Sequence, residues 1–131
     1  MKYTIDEKDY GIKVNLIDSF TFRDYECFAE IVDYIKTNKP RVVVLNMKDC
    51  DLIDSAGLGM CVILYDEVHF IHGTTAIVNA FGKVQKVMHA ARFNVVFKML
   101  PKEDADKLLT DIKIDQFVAN NFEWPLPRNL K

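Results

Sequence analysis

The sequence predicts an α/β domain, a mixed and mostly parallel sheet of four to five strands with helices, in the order ββαβαβαβα. Three observations predict it. Apolar and polar residues alternate on both sides of a turn near the start, and Arg41-Val-Val-Val-Leu-Asn46 is a continuous β-branched run. Apolar stripes at helical spacing separate the strands that follow. Such alternation implies right-handed crossovers and parallel strands, with the opening hairpin as an antiparallel edge.

Each element has its own local cause. Tyr3 and Ile5 alternate with polar residues, Lys8-Asp9-Tyr10-Gly11 supplies turn chemistry, and Ile12, Val14 and Leu16 alternate again. Tyr25, Phe28, Ala29, Val32 and Ile35 make the apolar stripe of a first helix. Thr21 with Asp24 resembles a capping box before that helix, and Asn38-Lys39-Pro40 stops it. The run from Val42 to Leu45 requires burial on both faces, as in an interior strand covered by helices. A polar loop, Lys48-Asp49-Cys50-Asp51, is then expected to lead into Ile53-Asp54-Ser55-Ala56-Gly57.

A second helix is expected from Ser55 to His72, with Leu58, Cys61, Val62, Tyr65 and Val68 inward and Gly73 at its end. Thr75–Asn79 predicts another strand. Val84, Val87, Met88 and Ala91 predict a third helical stripe, and Val95–Met99 a last strand. Pro101 suits the first turn of a final helix carrying Ala105, Leu108, Leu109 and Ile112. The domain is expected to span residues 1–114. Residues 115–131 form a tail in which Trp124-Pro125-Leu126-Pro127 cannot continue a helix. That tail is either a loosely held terminus or a segment whose tryptophan docks on the domain, a second copy or a partner.

Composition bounds the function. The 131 residues carry 17 basic and 19 acidic side chains, a net charge of -2, which gives no field for nucleic acid. The longest apolar stretches are far too short to span a bilayer, and MKYTIDEKDYG lacks the apolar core of a signal peptide. Cys27, Cys50 and Cys61 are odd in number and widely spaced, so they make no disulfide framework. A cytoplasmic location is the expectation.

Enzyme motifs fit poorly. Ile53 stands where a nucleophile elbow needs its first glycine. Gly57-Leu58-Gly59 lacks the third glycine of a dinucleotide fingerprint, and Asn79 ends the next strand where an acid would be required. No phosphate-binding loop of the Gly-Lys-Ser/Thr type is present, so no cofactor is expected. His69 and His72 share a helix face without the cysteine or carboxylate partners of a zinc site, so no metal is expected. Lys83, Lys86, His89 and Arg92 read as the solvated side of the third helix.

One site stands above this background. Asp54-Ser55 lies where a loop turns into the second helix, near the positive end of its dipole, where free N–H groups favour a phosphate. Either residue could simply be the N-cap, worth about 1 kcal/mol. Capping does not account for Gly57 and Gly59 in the first turn, each costing roughly 1 kcal/mol relative to Ala. They imply a use, whether close packing or access for a partner.

The string from Val42 through Leu45-Asn46, the polar loop and Asp54-Ser55-Ala56-Gly57-Leu58-Gly59 resembles the signature of the STAS domain, the family of bacterial anti-sigma factor antagonists. The resemblance covers roughly residues 3 to 112, through His72-Gly73, Ala76-Ile77-Val78, Val84–Met88 and Phe93–Phe97. It implies a STAS-like fold and a partner switch. The serine matching Ser55 would be phosphorylated by an anti-sigma factor serine kinase of the histidine-kinase-like ATPase fold, and a phosphoserine phosphatase would reverse this. Only the unphosphorylated form would bind the kinase.

The implied contact surface is Asp54, Ser55, Gly57, Leu58 and Gly59, joined by Ser19 and Thr21 from the neighbouring loop. The protein would then be a substrate and ligand, with no catalytic residues of its own. The alternative is a non-enzymatic scaffold or accessory subunit of a larger signalling or transport assembly. Two departures from the family pattern stand out. Ser19-Phe20-Thr21-Phe22-Arg23-Asp24 has no glycine where Gly-x-Leu/Phe-Asp is usual, and Ala56 replaces a second hydroxyl.

Overall fold

Strand β1 (Lys2–Glu7) runs antiparallel to β2 (Gly11–Phe20), with Tyr3 opposite Leu16 and Ile5 opposite Val14. The computed structural model describes residues 2–110 of the chain. Strands β3 (Val42–Ile53), β4 (Thr74–Val78) and β5 (Lys98–Met99) continue the sheet in parallel, in the spatial order β1-β2-β3-β4-β5. Helices α1 (Tyr25–Asn38), α2 (Ser55–Phe70), α3 (Gly82–Ala90), α4 (Phe93–Val96) and α5 (Lys102–Thr110) make the connections. The predicted α/β class and the mixed sheet with its antiparallel edge are what the chain adopts.

Two cores explain the apolar run in β3. Val43, Leu45 and Met47 face the larger one, with Phe28, Ile31 and Ile35 of α1, Cys61, Leu64 and Val68 of α2, and Val84 and Met88 of α3. Val42 and Val44 face the other side, where Ala76 and Val78 meet Ala105, Leu108 and Leu109 of α5. Both faces are therefore dry, as the absence of alternation requires. Each such side chain contributes about 1.5–3 kcal/mol when fully buried.

The structure corrects the sequence reading at several places. Lys48–Asp51 is not a loop but part of β3, which stays paired to β2 as far as Phe20 opposite Ile53. Register shifts between Asn15 and Ile17 and between Asp18 and Ser19 give β3 extra residues there. Those irregularities replace alternation with two exposed residues for each buried one, so Cys50 and Ile53 face inward. Val95–Met99 is not one strand. Phe93 and Phe97 belong to a helical turn that brings their rings within 4.8 Å, and Phe97 meets Tyr65 edge-on at 5.4 Å.

On α1 the stripe centres on Phe28, Ile31 and Ile35, leaving Tyr25 exposed. On α2, Met60 and Leu64 are inside while Val62 is exposed. The left-handed residue that ends α2 is His72, at φ 64°, rather than Gly73. None of the three cysteines is in a disulfide among the described residues. Among the described residues no helix is long and apolar enough to cross a membrane. Ile112, the expected boundary at 114 and the Trp124 tail lie outside the described residues.

Candidate functional site

The carboxyl ends of β2 and β3 set the site. Ile53 is the last residue of β3, and Asp54 follows it in an extended conformation as the N-cap of α2. Both carboxylate oxygens of Asp54 are engaged. Oδ1 accepts the Gly57 N–H at 2.8 Å, and Oδ2 accepts the Phe22 N–H at 3.2 Å. Its carbonyl accepts the Leu58 N–H at 3.0 Å, which closes the first helical turn. One side chain thus ties the start of α2 to the segment after β2.

That segment is a 3-10 turn, Phe22–Asp24, with the predicted capping box in place. The Thr21 N–H donates to Asp24 Oδ2 at 2.7 Å, and the Thr21 hydroxyl accepts the Arg23 N–H. Thr21 therefore acts as a cap. Ser19, half-buried in β2, pairs with Leu52 of β3.

Ser55 is the first residue of α2 and is exposed. Its hydroxyl makes no hydrogen bond among the described residues. Lys48, Asp49 and Asp51, in the last part of β3, are exposed as well. The backbone N–H groups of an opening helical turn favour an anion.

The two glycines separate. Gly57 is buried, and a Cβ there would lie 2.0 Å from the Phe20 carbonyl oxygen. It serves packing within the fold, which corrects its expected place on the partner surface. Gly59 is exposed, and a Cβ there meets nothing within 4 Å. Leu58 is half-buried and packs on the larger core. The sequence reading gave Phe22 no role of its own and took Tyr25 for an inward residue, yet both side chains are exposed. The departure of Ser19–Asp24 from the family pattern was the available signal.

His69 lies fourteen residues beyond Ser55 along α2, about 21 Å at 1.5 Å per residue, and stacks on Tyr65 at 6.0 Å. Cys50 and Cys61 are buried beneath the site, and burial pushes both thiols up, away from the reactive thiolate. No group of side chains suited to a metal ion occurs among the described residues. A cleft of about 320 Å³ opens at the opposite end of the parallel strands, around Tyr10, Gly11 and Arg41.

The sequence model of the STAS domain matches residues 7–105. No curated protein is similar enough in sequence to count as a relative. Among solved structures, the chain is similar to the anti-sigma factor antagonist SpoIIAA in its unphosphorylated form, with a TM-score of 0.71 at 17% identity over 81% of this chain and 94% of that one. The phosphorylated form from Bacillus gives 0.65 at 16% over 81% and 97%. An anti-sigma factor antagonist from Mycobacterium paratuberculosis gives 0.71 at 14% over 82% and 92%. A sulfate transporter family protein from Wolinella succinogenes gives 0.56 at 13% over 82% and 84%. At such identities the likeness concerns the fold.

Proposed function

The chain belongs to the STAS domain family, and on that premise we propose that it is an anti-sigma factor antagonist switched by phosphorylation of Ser55. The observation that carries this reading is the exposed hydroxyl at the first position of α2, free of hydrogen bonds among the described residues and fixed in place by the Asp54 cap. In the unphosphorylated state the protein binds an anti-sigma factor serine kinase and so releases the sigma factor. The protein is a ligand and substrate there, not a catalyst.

The kinase transfers the γ-phosphoryl group of ATP to Ser55 Oγ. The Oγ–P bond forms, the bond to the ADP leaving group breaks, and the hydroxyl proton passes to a base of the kinase. About -1.5 to -2 charges then stand where a neutral hydroxyl stood. A partner face that accepted the hydroxyl must now desolvate a dianion, and the complex is lost. Open N–H groups of the first turn stabilise the phosphate locally, so the fold persists while the interface fails. A phosphoserine phosphatase hydrolyses the ester and restores binding.

The test is intact mass after incubation with ATP and the histidine-kinase-like ATPases encoded in the same genome. Gain of one phosphoryl group by the parent chain and none by Ser55→Ala is the expected result. No gain with any of these kinases would instead support an unphosphorylated scaffold or accessory subunit.

A further inference from the structure

We infer that a cleft between the β1–β2 turn and α5, on the face of the sheet opposite α2, binds the dianionic phosphate group of a small phosphate monoester. The inference is independent of the Ser55 switch. The cleft has a volume of about 280 Å³ and is lined by Lys8, Lys13, Lys102, Asp106, Leu109 and Thr110. Its walls are joined by direct contacts. The Tyr10 N–H donates to the Leu109 carbonyl at 2.9 Å, which holds the turn against the end of α5. Lys13 Nζ lies 3.4 Å from Asp106 Oδ1, and Lys102 Nζ donates to Asp106 Oδ2 at 2.9 Å.

Charge on these walls is out of balance. Three ammonium groups meet one carboxylate, so two positive charges have no countercharge in the cleft. Both oxygens of Asp106 are taken by Lys13 and Lys102, and Lys8 makes no ion pair among the described residues. The hydrogen bond from Lys102, with the Lys13 charge, holds the Asp106 carboxyl below the usual carboxylate range, so this pairing persists at neutral pH. Asp6, opposite Lys13 across the hairpin, accepts the Asn15 amide at 3.0 Å, and Glu103 beside Lys102 does not line the cleft. The Thr110 hydroxyl is engaged by the Asp106 carbonyl at 3.0 Å, which leaves recognition to the lysines.

Lys13 makes the imbalance informative. Its side chain is only 14% exposed, and it shares a partly exposed carboxylate that lies closer to Lys102. Removing an ammonium from water costs more than such a shared contact returns, and an apolar side chain would pack there without that cost. A second anion in the cleft offsets it. Each ammonium has three N–H donors, and Asp106 occupies one on Lys13 and one on Lys102.

Charge and size then identify the ligand. A phosphate monoester carries about -1.5 to -2 charges at pH 7, which matches the surplus of the walls, and lysine binds phosphate as a point charge. The space is below the roughly 300–1,000 Å³ of sites for drug-sized ligands, so the group esterified to the phosphate is small. The larger neighbouring cleft shares Lys8 but sets Glu7 and Asp9 against Lys39 and Arg41, so its surplus is smaller.

The experiment is an NMR titration of the full chain with glycerol phosphate, read at the lysine side chains and calibrated by calorimetry. Saturable shifts at Lys8, Lys13 and Lys102 are expected at neutral pH. Affinity should fall as pH drops through the second phosphate pKa near about 6, while sulfate, which stays dianionic, should show no such fall. Lys8→Gln and Lys13→Gln should each weaken binding by about tenfold, and Ser55→Ala should leave it unchanged. Lys8 is exposed, so its variant should keep the parental melting temperature. Absence of saturable binding, or parental affinity in Lys8→Gln, would overturn the inference. Shifts centred on Lys39 and Arg41 would place the anion in the other cleft and also overturn it.

Discussion

Gly57 lies so close beneath Phe20 that a Cβ on the glycine would sit 2.0 Å from the phenylalanine's carbonyl oxygen. The Ile53 side chain would be 2.8 Å away, so neither backbone nor core offers relief. The chain can cross itself at this point only without a side chain there.

Gly57→Ala is accordingly expected to destabilise the fold by about 1–3 kcal/mol or more, through overpacking against rigid backbone. Gly59→Ala meets open space and should raise stability by up to about 1 kcal/mol through helix propensity. Urea unfolding of the two variants checks the contrast; equal effects would mean that the close approach is absent.

Asp54 supports two amides at once, so its loss has two consequences. Asp54→Ala should cost about 1–3 kcal/mol, combining a lost N-cap with an unpaired Phe22 N–H. Asp54→Asn keeps one acceptor oxygen and should lose less. Denaturant midpoints separate the two, and backbone amide exchange at Phe22 should accelerate in both.

Ser55→Asp should weaken kinase binding by about tenfold or more, as a carboxylate enters a face that accepted a hydroxyl. The position is exposed, so stability should shift by less than about 0.5 kcal/mol. Calorimetric binding and thermal melting check both halves; undiminished affinity would contradict the electrostatic mechanism.

Tyr34 of α1 donates to Glu7 of β1, and this bond, with burial and the Glu7 charge behind it, pushes the phenol up to about 12. The folded chain therefore holds this proton above the usual tyrosine range near 10. Its contribution to stability is fully present below about pH 10 and is lost as pH rises through about 12. Tyr34→Phe should flatten that alkaline decline, as measured by urea unfolding across the pH series.

Most of the fold was legible because it rests on short-range patterns. The hairpin alternation, the doubly buried run in β3 and the Thr21–Asp24 box each correspond to a physical cause confined to a few residues. What escaped depends on contacts distant in sequence. The polar stretch Lys48–Asp51 is strand only because β2 pairs with it through two register shifts. The different roles of Gly57 and Gly59 follow from the position of the Phe20 carbonyl, thirty-seven residues earlier than Gly57. Tyr25 has the spacing of a core residue, but α1 turns its buried face toward Ile31 instead.

The unbroken run of β3 into Asp54 fixes the place of the proposed recognition site. Residues Ser19, Phe20, Leu52 and Ile53 are held by ladder pairing, so the platform beneath the serine has been shaped before any encounter. Association need not wait for a wandering loop to settle, and little freedom is forfeited when the complex forms. On the proposed reading, discrimination between the two chemical states can then reside in a single side-chain oxygen, because the backbone beneath it is tied by the β2–β3 ladder and the Asp54 cap.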